Sequence, residues 1–194
     1  MSHKNPSEKV PNTTKAPGHR FHLSIFMVLV VLIAPCLASG KNVKLGKKLP
    51  TFKLKDSKGK TYTLSSFKEP VLAIWYEGKN SKEQNRWLKK KLKKMFDKNI
   101  IPQKKFRSVG IANFQETAVP NFIINAVIKK ESKETGAVIL CDRKGKMMKK
   151  WGFRNGRSNI YILDKNRRLR WKSSGKLSKR RGKQLIRFIL RLTR

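Results

Sequence analysis

The residues best suited to chemistry stand at 77–85, EGKNSKEQN, between the apolar run VLAIWY and a Lys-rich helical pattern. A polar loop joining a strand to a helix gathers backbone N–H groups at the helix N-terminus, where anions bind well. Gly78 opens this loop, Lys79 and Lys82 bring charge, and Asn80, Ser81 and Asn85 bring neutral donors. With Glu83 beside them, these seven residues form a candidate cradle for a phosphate or carboxylate. The structural alternative is a capped helix start with its lysines in water. Glu77 and Glu83 flank the loop and could bracket a substrate as acid and base. Glu83 is already accounted for by the first helical turn, where an acid favours the helix dipole.

The other candidate is Cys141, the single cysteine after residue 36. It closes a predicted strand beside Asp142, whose charge raises a thiol pKa, and Arg143, which lowers it. A small buried strand residue is the expected role, with a one-Cys peroxidase as the alternative. His3, His19 and His22 all precede residue 23, so the rest of the chain has no histidine. No metal site and no cofactor site are expected from one cysteine and scattered carboxylates, and no catalytic constellation appears.

Charge is the outlying property. Forty-eight basic residues against 11 acidic ones give a net charge of +37. Such an excess attracts polyanions: anionic lipid, acidic polysaccharide or nucleic acid. Lysine outnumbers arginine 34 to 14, which suits diffuse attraction better than bidentate readout of bases or phosphates. Trp87, Trp151 and Trp171 lie among these cations and offer stacking faces, yet no nucleic-acid-binding motif appears. Nucleic acid therefore ranks behind an envelope protein, an anionic envelope component or an anionic membrane surface.

Residues 1–40 read as a secretory signal peptide or an N-terminal membrane anchor. A polar, basic stretch precedes FHLSIFMVLVVLIAPCLA, which ends in small residues at Ala38-Ser39-Gly40. The apolar core from Leu23 to Ala38 is 16 residues, short of the about 20 that span a bilayer. Cleavage is the expectation, giving a periplasmic or secreted domain over 41–194; an anchored form would use residues 21–38. Cys141 alone then remains, and no intramolecular disulfide can form.

The elements that must position these residues follow from periodicity. Thr51–Lys55 and Thr61–Leu64 alternate around the turn Asp56–Lys60, a hairpin. Val71–Tyr76 is nearly all apolar, as in a strand buried on both faces. Ser81 and Gln84 fit a capping box, which predicts a helix from Ser81 with Leu88, Leu92, Met95 and Phe96 inward and Lys89, Lys90, Lys91, Lys93 and Lys94 solvated. A strand over 106–114 follows. Next comes a helix over 118–133, with Pro120 in its first turn and Val119, Phe122, Ile123, Ala126 and Val127 as its buried face. Ala137–Cys141 is a strand that turns back at 142–146 into MMKKWGF as a hairpin. A second hairpin spans 159–164 and 167–172, and a last helix covers Leu177–Leu192. This order predicts an α/β fold with a mixed sheet and helices on both faces.

The same order resembles the thioredoxin-like arrangement, a three-layer α/β/α fold with a mixed central sheet and an N-terminal β-hairpin. GKKLPTFKLKDSKGKTYTLSSFKEPVLAIWY is similar to the opening of peroxiredoxin and redoxin domains, and NIYILDKNRRLRWKSSGKLSKRRGKQLIRFI to their close. EGKNSKEQN and SNIYILD resemble the corresponding stretches of the YtfJ-like family, small exported bacterial proteins without a defined activity. The resemblance implies that 78–82 occupy the place of a redox thiol at a helix N-terminus. It also implies that Ser158 stands at the position equivalent to the usual cis-proline. The expected function is an exported, non-redox binding or interaction protein of the cell envelope with a basic surface. The alternatives are a degenerate thiol oxidoreductase using Cys141, and polyanion or nucleic-acid binding.

Overall fold

The computed structural model describes residues 43–194. Its centre is a seven-stranded mixed sheet built on Val71–Glu77 (β3), whose first six residues are buried. A strand apolar at every position must be covered on both faces. It pairs in parallel with Phe106–Asn113 (β4) and antiparallel with Asn159–Leu163 (β6). β4 pairs in parallel with Val138–Asp142 (β5), and β6 antiparallel with Leu169–Ser174 (β7). The hairpin of Leu54–Asp56 (β1) and Thr61–Tyr62 (β2) adds to the free edge of β5, giving the order β2-β1-β5-β4-β3-β6-β7.

Side chains alternate across this sheet and build separate apolar clusters. One face carries Leu72, Ile74 and Tyr76 with Val109, Ile111 and Leu140, covered by the N-terminal segment and by Met147, Trp151 and Phe153. The other carries Ala73 and Trp75 with Ile160 and Ile162, covered by the helices Arg86–Asp97 (α1) and Lys179–Leu192 (α4). α1 faces the sheet with Leu88, Leu92 and Met95, the spacing of one helical stripe. α4 does so with Leu185, Ile186 and Ile189. The two helices pack closely because Gly182 has no side chain: a Cβ there would lie 2.3 Å from the Trp87 ring. The helix Asn121–Thr135 (α2) lies over β5, where Ile128 joins Phe114 and Cys141 in a small third cluster.

The α/β architecture, the mixed sheet with its N-terminal hairpin and the helices on both faces agree with the sequence reading, and four local expectations are corrected. The first long helix begins at Arg86 instead of Ser81, because residues 79–85 form successive turns. MMKKWGF is not a returning strand: Lys146–Trp151 is a short helix (α3). The Asp142 carboxylate accepts from the Lys146 and Met147 amides at 2.9 and 2.8 Å, satisfying the orphan donors of its first turn. Gly145 precedes it at φ 61°, a conformation that favours glycine. In α2 the expected inward face points outward: Phe122 is 73% exposed, Ile123 43% and Val127 49%. Apolar residues surround that helix, so its periodicity does not select a face; Ile124 and Ile128 are the ones that meet the sheet. Trp151 is buried, stacked on Tyr161 with its indole N–H on Pro50 O, and offers no face for a base.

Residues 1–40, read from sequence as a signal or anchor, lie outside the described residues. No helix among the described residues is long and apolar enough to cross a membrane.

Candidate functional site

The polar loop leaves the C-terminal end of β3 and closes on itself at once. Gly78 N–H donates to Ser81 Oγ at 2.9 Å, while the Ser81 and Lys82 amides both donate to Gly78 O, at 3.2 and 3.1 Å. Ser81 is fully buried; its hydroxyl ties the loop back to Gly78 instead of capping a helix. A Cβ at position 78 would lie 2.1 Å from a Glu116 carboxylate oxygen and 2.8 Å from the Glu116 Cβ, so any other residue there requires Glu116 to move. Of the amides assigned to the anion cradle, those of Ser81 and Lys82 are therefore engaged within the loop. Lys79, Asn80 and Lys82 are exposed, and Glu83 pairs in solvent with Arg86 at 2.5 Å.

Asn85 belongs to a different, buried arrangement. Its side-chain N–H2 donates to Ser158 Oγ and Gly175 O, both at 3.0 Å, and its Oδ1 accepts from Leu177 N–H at 2.9 Å. Gln84 adds a second pair of contacts, donating to Gly156 O and accepting from Ser158 N–H, each at 3.0 Å. Two adjacent amides thus clasp the segments leading into β6 and α4. Ser158 can join only because it is not proline, which would supply neither the N–H nor the hydroxyl. Its hydroxyl donates to Glu77 Oε1 at 2.5 Å, and Glu77 Oε2 receives Lys89 Nζ at 2.6 Å. Burial pushes the Glu77 carboxyl pKa up, against the opposing pull of Lys89 and the Ser158 hydroxyl.

Glu77 and Glu83 consequently do not form an acid–base pair: one is buried against Ser158, the other is half-exposed beside Arg86. Lys89, read from sequence as part of a solvated face, is the partner of Glu77 and also donates to Lys82 O. No sequence signal identified it, since five lysines share that helical run and only the fold aims one at β3. Gln84 was legible as a helix-start residue, but its clasp on Gly156 and Ser158 spans more than 70 positions.

Cys141 lies apart from the loop. The register Glu77↔Ala112↔Cys141 puts it two strands away from the end of β3, about 10 Å at ordinary strand spacing. It is buried between Phe114 and Ile128. Burial pushes its thiol pKa up, Arg143 opposes this, and Asp56 on the paired strand adds to it. The Asp142 carboxylate, expected to raise the thiol pKa, is turned to Tyr76 Oη and the start of α3. Among the described residues no group of three or more His, Cys, Asp or Glu side chains is arranged to hold a metal ion.

Comparison with known proteins bears on the fold and the family. A family model for bacterial proteins of unknown function, YtfJ_HI0045, matches residues 71–192. A search of curated proteins finds no match. Among solved structures, a domain of a possible thiol-disulfide isomerase from Cytophaga hutchinsonii superposes with a TM-score of 0.54 at 16% identity, covering 78% of this chain and 94% of that one. Peroxidoxin BcpB from Mycobacterium tuberculosis gives 0.57 at 16% identity, over 79% and 99%. A thiol peroxidase from Chromobacterium violaceum gives 0.57 at 14%, over 78% and 89%. At these identities the likeness is one of fold, and the fold is thioredoxin-like.

Proposed function

We propose that this chain, which belongs to the YtfJ_HI0045 family of bacterial proteins, is an exported binding or interaction protein of the cell envelope that performs no dithiol exchange. The observation that carries the reading is the content of the loop after β3. Residues 78–85 contain no sulfur, and Ser81, Gln84 and Asn85 are spent on hydrogen bonds that hold the loop to itself, Ser158 and Gly175. Dithiol exchange needs two sulfurs within reach, and Cys141 is the one cysteine among the described residues. Its burial and raised pKa oppose the thiolate that attack requires.

Attraction to an anionic surface is supported by the charge of +37 and by the exposed lysines Lys79, Lys82, Lys90, Lys91, Lys93 and Lys94 around the loop and α1. The leader-like residues 1–40 support export, with the domain at 41–194 meeting the anionic face of an envelope membrane. Lys79 and Lys82 remain the candidate anion contacts of the loop.

Two measurements test this. Sedimentation with phosphatidylglycerol vesicles at low and physiological salt is expected to show salt-sensitive binding that phosphatidylcholine vesicles do not support. DNA retained at physiological salt without any preference for anionic vesicles overturns the envelope reading in favour of nucleic acid. Peroxide consumption with a thiol reductant is expected to be at background for the wild type and for Cys141→Ser alike. Turnover abolished by that substitution would establish the thiol alternative instead.

A further inference from the structure

Beyond the basic surface, the sheet face shared by α1 and α2 contains a cleft of about 830 Å³, within the roughly 300–1,000 Å³ typical of small-molecule sites. Its cause lies in β4. On one face that strand presents Val109 and Ile111, which are buried; on the other, beyond the buried Phe106 at its start, it presents Ser108, Gly110 and Ala112. Gly110 sits in register between Trp75 and Ile139, so the floor is a notch between two large apolar residues. Leu92 and Phe96 of α1 form one wall, and Ile123, Ile124 and Val127 of α2 the other. The α2 wall is not sealed against the sheet, since Ile128 is the helix's one buried residue.

The mouth is charged. Lys79, Lys82 and Lys90 line it with no side-chain hydrogen bond or ion pair among the described residues, and Arg86, Lys89, Lys93 and Arg107 line it with acidic partners. Of the carboxylates, Glu77 is held by Lys89 and Asp97 by Lys93, leaving Glu131 on the α2 side. The three free ammonium groups outnumber it. An apolar trough with a cationic mouth is complementary to an amphipathic anion, and an acyl chain ending in a carboxylate has that form.

We propose that this cleft binds a long-chain carboxylate, with its chain over Ser108, Gly110 and Ala112 and its head at Lys79 and Lys82. Ile123 and Val127, both exposed and both lining the cleft, then carry its apolar wall out to solvent, as at interaction sites.

Equilibrium dialysis of radiolabelled palmitate, kept below micellar concentration, against the full chain tests the site. Saturable binding is expected. Gly110→Leu is chosen to fill the notch: its Cβ would stand 3.5 Å from Ile139, an ordinary contact, and the rest of the side chain extends into the cleft. Ile123→Glu places a carboxylate on the exposed wall and leaves the core untouched. Each is expected to weaken palmitate about tenfold or more while the melting temperature is retained. Lys79→Glu combined with Lys82→Glu is expected to weaken palmitate and leave the uncharged hexadecanol unaffected. Palmitate binding unchanged in Gly110→Leu and Ile123→Glu places the site elsewhere, residues 21–38 included, and overturns the proposal. So does hexadecanol binding the wild type as tightly as palmitate, or capture of an apolar helical peptide without any palmitate binding. Salt-sensitive vesicle binding by the charged surface is a separate readout, so either reading can fail alone.

Discussion

α1 and α2 both follow parallel strands and lie on the same sheet face, yet the sheet holds them very differently. α1 buries Leu88, Leu92 and Met95, and its N-terminal Asn85 is locked by three hydrogen bonds to distant backbone and side chain. α2 buries Ile128 alone and leaves Phe122, Ile123 and Val127 in solvent. The difference shows how one strand can serve two purposes. β4 gives Val109 and Ile111 to the opposite face and, beyond Phe106, only Ser108, Gly110 and Ala112 to this one, so the neighbouring helix has little to close upon. Tight packing fixes the loop; loose packing leaves the cleft.

The largest expected effect lies in α1. Leu88→Ala empties a site with no exposure and should cost about 2–5 kcal/mol of unfolding free energy, read from urea midpoints. Asn85→Ala comes next: it strands the Leu177 N–H and the Gly175 carbonyl in a buried position, at about 1–3 kcal/mol for each group left unsatisfied. A loss below about 0.5 kcal/mol would mean that the clasp is not what holds the loop. On α2 the comparison predicts near silence, with Phe122→Ser changing stability by within about 0.5 kcal/mol. Hydrogen exchange should separate the helices directly, α2 amides exchanging well before those of α1; equal protection would break the comparison.

The smallest expected effect is the pH response of Glu77. Its folded pKa is raised above 4.5, so the folded state holds the proton more tightly than the unfolded chain does. That contribution is fully present below pH 4.5 and is lost as pH rises through the folded pKa. The stability of wild type relative to Glu77→Gln should therefore fall from pH 4 upward and level off above the raised pKa, as measured by urea unfolding at several pH values. A rise instead would mean that Lys89 outweighs burial.

Several elements could be read without the fold because they are decided by residues close in sequence. The continuous apolar run at 71–76 marks a strand covered on both faces, and Leu88, Leu92 and Met95 recur at one helical spacing. The loop was legible as a place without sulfur. Its contacts were not: the Ser81–Gln84 pattern resembles a capping box, but the Ser81 hydroxyl is captured by Gly78 and the Gln84 side chain by Ser158. α3 was missed because its stabilising acid, Asp142, caps from the end of a strand, a geometry that a six-residue helix does not announce in its own composition.

The sequence by itself determined the layered α/β order, the excess of positive charge and the absence of a second cysteine after residue 36, because periodicity and composition are local properties. Which face α2 turns to the sheet, which of five lysines meets Glu77, and whether Ser108, Gly110 and Ala112 lie under a helix or beside open space were decided by the tertiary structure. Those outcomes depend on pairings between distant strands, where register and side-chain volume, rather than the identity of any one residue, set what is filled and what stays open.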